Sequence, residues 1–132
     1  MSAFLDTNVV IHHLTSDPPD QATGATAALR GAERLLLVDL VVAEIVFVLE
    51  SVYEVGRGRI AQLVRSLLAF PAVSVGDAQV LLRSLEIYEH HRLHFAEAYL
   101  AACAELSGAG RVLSFDRALD RIGSIERLEP GA

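Results

Sequence analysis

The sequence predicts an α/β protein in which helices cover both faces of a parallel sheet. Short apolar segments alternate along the chain with longer segments of helical periodicity, which is the pattern of this class. The short segments are continuously apolar, as expected of strands that are buried on both faces. The chain has 132 residues, of which 52% are hydrophobic and 21% are charged. This composition is typical of a globular protein, so we expect residues 1–132 to form one domain.

The first half of the chain predicts three strands with helices between them. Ser2–Leu5 is apolar and ends at Asp6-Thr7-Asn8, where a polar strand end precedes the apolar residues Val9–Leu14. Asp17-Pro18-Pro19-Asp20 is a turn and helix-start signal. Asp39 follows the second strand and is expected to cap the next helix with its carboxylate. The predicted strands are Ser2–Leu5, Arg34–Val38 and Ala72–Val75, and the predicted helices are Gln21–Gly31, Asp39–Tyr53 and Gly56–Phe70.

The sequence of the second half predicts two more strands, so the expected central sheet has about five strands. Gly76-Asp77 restarts a helix, and the later elements are a helix at Ala96–Leu106, a strand at Arg111–Phe115, a short helix from Asp116 to Ile122 and an edge strand at Ile125–Leu128. Parallel sheets bind ligands at the carboxyl ends of their strands. Asp6 and Asp116 directly follow predicted strands, so the sequence indicates a site at that edge.

The helix Asp39–Tyr53 has apolar residues around much of its circumference, and we therefore expect it to lie deep in the domain. Glu44 stands inside this apolar segment. Glu50 and Glu54 fall on a different side of the helix, because six and ten residues do not return to the direction of Glu44 at about 100° per residue. We interpret these two as solvated charges.

Composition excludes several classes of function. All eleven basic residues are arginine, so enzymes that need a phosphate-binding or Schiff-base lysine are excluded. Cys103 is the only cysteine, which rules out an internal disulfide and a cysteine zinc site. The start of the chain lacks the pattern of a signal peptide or a spanning helix, so a cytoplasmic protein without a membrane partner is expected. The net charge of −6 opposes broad nucleic-acid binding, although arginines or divalent metal can still attract phosphates.

Four acids stand next to apolar residues: Asp6, Glu44, Glu97 and Asp116. Gathering several buried carboxylates is unfavourable unless cations neutralise them, and Mg²⁺ or Mn²⁺ with oxygen ligands would do so. Each acid also has a simpler explanation. Asp6 with Asn8 can cap a strand end, Glu44 can occupy a solvated gap, and the other two can be acids at helix N-termini.

The chain resembles the PIN-domain family, in particular the small VapC-type ribonuclease toxins. The resemblance spans nearly the whole chain and rests on four segments in order, Phe4-Leu5-Asp6-Thr7-Asn8, Val42-Ala43-Glu44-Ile45-Val46-Phe47-Val48-Leu49, Leu93-His94-Phe95-Ala96-Glu97-Ala98 and Leu113-Ser114-Phe115-Asp116-Arg117. It implies a three-layer sandwich with a five-stranded parallel sheet, a Mg²⁺ or Mn²⁺ site, and hydrolysis of single-stranded RNA. The acids of the family correspond to Asp6, Glu44, Glu97 and Asp116.

By this resemblance each site residue has an expected role. Asp6, Glu97 and Asp116 would bind metal and Glu44 would complete the catalytic set, while Asn8 and Ser114 would position acids and water. Asp120 would be an auxiliary acid, and Arg117 would contact substrate phosphate, as Arg92 and Arg111 also could. One residue departs from the family pattern: Glu97 stands where the family usually has Asp. Its carboxylate is one methylene further from the backbone, and Mg²⁺ tolerates little change in geometry.

The leading interpretation is a metal-dependent endoribonuclease toxin of a type II toxin-antitoxin system. It would cut single-stranded or looped RNA, be inhibited by a cognate VapB-like antitoxin, and form a homodimer or a toxin-antitoxin hetero-oligomer. The alternative is a non-catalytic PIN-like module that binds an antitoxin, with its site altered at Glu97. A flap-type DNA nuclease is disfavoured because the chain is short and acidic. The motif His90-His91-x-x-His94 is interpreted as surface histidines and Cys103 as a core residue.

Overall fold

The computed structural model describes residues 2–31 and 33–131. Helices and strands alternate along it, so the predicted α/β class is confirmed. The chain divides into two compact units, Met1–Gly76 and Asp77–Ala132. Each unit contains strands that pair only within that unit and in parallel, as far as the described residues show.

The first unit has a three-stranded parallel sheet in the order β1-β2-β3. Ala3 of β1 lies opposite Leu35 of β2, which lies opposite Val73 of β3. Helices make both crossover connections, as parallel strands require. The elements are β1 (Ser2–Phe4), α1 (Thr7–Thr15), α2 (Pro19–Arg30), β2 (Arg34–Leu36), α3 (Asp39–Ser51), α4 (Arg57–Leu68) and β3 (Val73–Ser74).

The second unit is a helix pair followed by two parallel strands. Its elements are α5 (Ala78–His91), α6 (Phe95–Ser107), β4 (Arg111–Leu113), a 3-10 helix (Arg117–Arg121) and β5 (Glu126–Leu128). The Asp77 side chain starts α5 by accepting hydrogen bonds from the backbone N–H groups of Gln79 and Val80. Gly108, at φ 85°, ends α6 in the left-handed conformation that glycine adopts without strain.

The predicted five strands all occur, but the prediction of one central sheet is wrong in detail. The strands form a group of three and a group of two, and each has only two or three residues. The predicted burial of β1 and β4 is also wrong, since Phe4 is 74% exposed and Leu113 is 69% exposed. Within the strands, Leu35 of β2 and Val112 of β4 are buried, and Leu5 and Leu37 pack inward just after β1 and β2, where the chain turns toward a helix.

Helix α3 is buried on one face only, so the expectation that it lies deep in the domain is wrong. Val42, Ile45, Val46 and Leu49 are fully buried. Leu40 and Phe47 on the other face are 80% and 65% exposed. The predicted capping by Asp39 is wrong as well, because Asp39 is the first residue of the helix and the N-cap position belongs to Val38.

An ion pair joins the two helices of the second unit. The Arg83 guanidinium on α5 donates to both carboxylate oxygens of Glu105 on α6, at 2.9 and 3.1 Å. The Ser124 hydroxyl donates to the same carboxylate at 2.6 Å. The hydrogen bond from Arg83 is the main reason that the pKa of Glu105 lies below its usual value, and the bond from Ser124 lowers it further. Neither Arg83 nor Glu105 is one of the candidate site residues.

His13 makes the stability of the first unit sensitive to mild acid. Its Nδ1 lies 2.7 Å from the Thr26 hydroxyl, and its ring packs edge-on against Phe70. Burial lowers the pKa of His13, and the nearby Arg30 charge lowers it further, so the folded protein favours the neutral ring. The unfolded chain takes up the proton more readily. We therefore expect the free energy of unfolding to fall as pH drops below about 6.5.

The measurement is urea unfolding of wild type and His13→Gln at pH 7.5 and pH 5.5. We expect the variant to lose less stability between these two conditions than wild type. His94→Gln is the control, because His94 is exposed and its side chain makes no capping hydrogen bond, so it should keep the wild-type pH dependence. Equal losses in wild type and His13→Gln would contradict this role for His13.

Candidate functional site

Asp6 lies just beyond β1 and caps helix α1. Its side chain is exposed, and its Oδ1 accepts a hydrogen bond from the Thr7 backbone N–H at 2.7 Å. Asp6 therefore caps a helix and not, as the simpler explanation had it, a strand end. Only one oxygen is used in this way, and Oδ2 has no hydrogen bond within the described ranges. Asn8 follows in the first turn of α1 and is exposed. The Thr7 hydroxyl between them is buried and has no hydrogen-bond partner among the described residues.

Glu44 projects from the exposed face of α3, which corrects the expectation of a buried acid. Residues 40, 44 and 47 fall on one side of a helix because neighbours three and four positions apart share a face. Glu44 therefore lies between the exposed side chains of Leu40 and Phe47. Because Glu44 is exposed to water, its charge does not need a cation to neutralise it.

Asp116 follows β4 and caps the 3-10 helix. The Asp116 Oδ1 accepts from the Ala118 backbone N–H at 2.9 Å, and the Asp116 backbone N–H donates to the Ser114 hydroxyl at 2.9 Å. The carboxylate is exposed, and its Oδ2 is free of hydrogen bonds to the described chain. Asp116 thus resembles Asp6: one oxygen holds the backbone and the other is available to a ligand.

Glu97 is the most unusual of the four acids. It lies in the first turn of α6, and its Oε2 is buried without a hydrogen-bond partner in the described part of the chain. The helix N-cap, His94, makes no side-chain capping hydrogen bond. A buried carboxylate oxygen without a partner is unfavourable, so such a group in a folded protein calls for an external donor or cation.

Asp120 and Ser114 belong to a network centred on Arg127, a residue that the sequence analysis missed. Arg127 Nε lies 3.0 Å from Asp120 Oδ1, and Arg127 Nη1 donates to the Ser114 backbone carbonyl at 2.9 Å. Arg127 also pairs with Glu129. Nothing in the sequence around Arg127 marks its bonds to Ser114 and Asp120, because these residues lie in a segment that becomes adjacent only when β5 pairs with β4.

A second arginine, Arg121, ties the 3-10 helix to the end of α5. Arg121 Nη1 donates to the backbone carbonyls of His91 and Arg92, at 3.3 and 3.1 Å. These carbonyls precede α6, the helix that carries Glu97. Arg117, in the same 3-10 helix, is exposed and makes no contact with the described residues that would occupy its guanidinium.

A cleft opens at the carboxyl edge of the three-stranded sheet, where parallel sheets commonly bind ligands. Its lining residues come from the last residues of the three strands and the residues after them, together with Arg34 at the start of β2: Phe4, Arg34, Leu36, Leu37, Val38, Asp39, Ser74, Val75 and Gly76. Arg34 Nη2 donates to the Ser74 hydroxyl at 3.3 Å within it. Neither Asp6 nor Glu44 lines this cleft.

The four acids divide between the units: Asp6 and Glu44 belong to the first, and Glu97 and Asp116 belong to the second. Across residues 2–31 and 33–131, neither unit by itself gathers three or more histidine, cysteine or acidic side chains that could hold a metal ion. Within the second unit, Asp116 has an unused carboxylate oxygen and Glu97 has a buried Oε2 without a partner among the described residues, and oxygen donors of this kind fit a hard divalent cation.

The model of the PIN domain family matches residues 3–125. The chain belongs to the PIN domain family. This match confirms the predicted family and covers all four acids. PIN domains are in general nucleases that use divalent metal ions, so the predicted hydrolase class is confirmed at this coarse level. No curated protein matches the sequence significantly.

One solved structure similar to this PIN domain is VapBC2 from Rickettsia felis bound to a DNA fragment from their promoter. The identity is 12%, the alignment covers 97% of this chain and 98% of that chain, and the TM-score is 0.40. A likeness of this size carries no argument about function. Within the described residues, no helix is long and apolar enough to cross a membrane.

Proposed function

We propose that this PIN domain is a metal-dependent endoribonuclease toxin of a type II toxin-antitoxin system, acting on single-stranded or looped RNA in the cytoplasm. The observation that carries the proposal is the buried Glu97 Oε2, which has no protein partner in the described part of the chain. A buried carboxylate oxygen without a partner destabilises the folded protein, but it offers a ligand to a cation. The family match supplies the nuclease class.

The proposed ligands of Mg²⁺ or Mn²⁺ are Asp6, Glu97 and Asp116, with Glu44 completing the catalytic set. Asp6 and Asp116 each use one oxygen to hold a backbone N–H group, which fixes the direction of the other. When bound, the metal supplies an activated water and stabilises charge on the phosphodiester. Asn8 and Ser114 orient neighbouring groups, and the exposed guanidinium of Arg117 binds a substrate phosphate.

The proposed partners are RNA and a VapB-like antitoxin, with the toxin as a homodimer or in a toxin-antitoxin hetero-oligomer. The net charge of −6 favours a partner segment that carries arginine. Leu40 and Phe47 are exposed on the same face of α3 as Glu44, so an apolar partner side chain could pack there beside the acid.

The test is cleavage of a mixed single-stranded RNA pool by the purified full chain with Mg²⁺, with Mn²⁺, or with EDTA. We expect fragments with either metal and intact RNA in EDTA. Cleavage that persists undiminished in EDTA would overturn the metal-dependent mechanism. Intact RNA in all three conditions, with folded protein and a pool of diverse sequences, would overturn the ribonuclease proposal for these substrates.

The second candidate is a non-catalytic PIN module that binds an antitoxin. The observation that favours it is Glu97, whose longer side chain stands at a position where the resemblance implies Asp. Mn²⁺ titration by calorimetry separates the candidates. The nuclease should bind Mn²⁺ and lose this binding in Asp6→Asn, whereas the binding module should take up Mn²⁺ only weakly in both proteins.

A further inference from the structure

Arg127 contacts one residue that precedes Asp116 in the sequence and one that follows it. Its Nε and Nη2 reach the two carboxylate oxygens of Asp120, at 3.0 and 3.4 Å, and its Nη1 reaches the Ser114 carbonyl at 2.9 Å. Residues 114 and 120 bracket the segment that carries the acid. The Arg127 side chain is only 11% exposed, whereas the Asp120 side chain that it pairs with is 56% exposed. The guanidinium is therefore enclosed by protein, while the Asp120 carboxylate is open to water.

Asp116 is positioned by hydrogen bonds to other residues of the same segment. The Ser114 hydroxyl accepts the Asp116 backbone N–H, and Asp116 Oδ1 accepts the Ala118 N–H. Displacing the Ser114 carbonyl would therefore move the hydroxyl that supports the acid. The planar guanidinium suits this task because it presents several donors in a fixed geometry, whereas a lysine ammonium offers one point charge.

We infer that Arg127 is a positioning residue that fixes the Asp116 carboxylate, and that Asp120 serves as the anchor of Arg127 instead of binding metal. Arg127 touches neither substrate nor metal in this proposal and acts through Ser114 and Asp120. The expected effect of Arg127 on catalysis rests on the proposed function. Its effect on the position of the segment 114–120 does not depend on that function.

Hydrogen exchange on the full chain tests the positional part. We expect Arg127→Ala to speed exchange at the backbone N–H groups of Asp116 and Ala118 by about tenfold or more, since both bonds depend on the placement of this segment. Arg83→Ala is the matched control. Arg83 is also an ion-paired arginine of the second unit, but its partners are Glu105 and Glu86, so its loss should leave these two amides unchanged. Unchanged exchange in Arg127→Ala would overturn the inference.

Mn²⁺ titration then shows whether Arg127 positions the Asp116 carboxylate or only stabilises the fold. We expect the apparent Kd for Mn²⁺ to rise roughly 10–100-fold in Arg127→Ala, as for loss of residues that orient metal ligands, and to stay at the wild-type value in Arg83→Ala. Faster exchange with an unaltered Kd would show a structural role only and would overturn the inference. If Arg127→Ala does not fold, Arg127→Lys and Asp120→Asn replace it, since each removes only some of the contacts.

The outcomes for the two proposals are distinguishable. Wild-type protein that neither binds Mn²⁺ nor cuts RNA would overturn the proposed function, and the exchange result alone would then decide whether Arg127 fixes the Asp116 segment. Wild-type activity with no effect of Arg127→Ala on exchange would leave the proposed function standing and overturn the role of Arg127.

Discussion

Replacing Asp6 or Asp116 by asparagine is expected to reduce metal-dependent RNA cleavage by roughly 100-fold or more, with little change in thermal stability. The substitution keeps the shape of the side chain and removes its charge, so a cation loses its anionic ligand. The backbone contacts survive, because an asparagine Oδ1 accepts the Thr7 or Ala118 N–H as aspartate does.

The measurement is the initial rate of RNA cleavage at several Mn²⁺ concentrations, together with the thermal unfolding temperature of each protein. Asp77→Asn is the matched control. Asp77 is also an exposed N-cap aspartate, but it caps α5 and is not one of the proposed metal ligands. It should keep wild-type activity. Full activity in Asp6→Asn or Asp116→Asn would remove that residue from the proposed site.

Replacing Glu97 by methionine is expected to make the metal-free protein more stable and to abolish cleavage. The buried Oε2 has no partner in the described chain, so removing it relieves a desolvation cost of about 1–3 kcal/mol. The apolar methionine side chain has a similar length and adapts to irregular space. Because Glu97 is a proposed metal ligand, the same change removes a contact that Mn²⁺ needs.

Urea unfolding in EDTA and in Mn²⁺ measures both effects. Wild type should gain stability from Mn²⁺, whereas Glu97→Met should be more stable than wild type in EDTA and gain nothing from the metal. Glu105→Met, on the same helix, should instead lose stability, because that carboxylate is bonded to Arg83 and Ser124. A Glu97→Met protein that is less stable than wild type in EDTA would contradict this account of the buried oxygen.

The agreement between sequence and structure is greatest where local chemistry decides the conformation. Asp77 and Asp116 cap helices as their positions before helical segments predict. Pro19 lies in the first turn of α2, where its missing N–H is harmless. The four motifs of the PIN family depend on residue order alone, so the family also followed from the sequence.

The errors arise where a local pattern carries no information about neighbours. Helix α3 is apolar on most of its circumference, and nothing in that pattern says that the side with Leu40 and Phe47 is left uncovered. The strands had apolar sequences, yet their pairing into groups of three and two depends on which elements meet. Glu44 was expected to be buried for the same reason and is exposed.

The sequence by itself therefore determined the α/β class, the order of the elements, the family and the identity of the candidate acids, because each of these depends on residue type and short-range spacing. Only the tertiary structure showed that Glu97 has a buried oxygen without a partner in the described part of the chain, and that Arg127 bonds to Ser114 and Asp120, which lie on either side of Asp116 in the sequence. Both features depend on contacts between segments that are brought together by helix packing and strand pairing, and such contacts leave no mark on the local sequence.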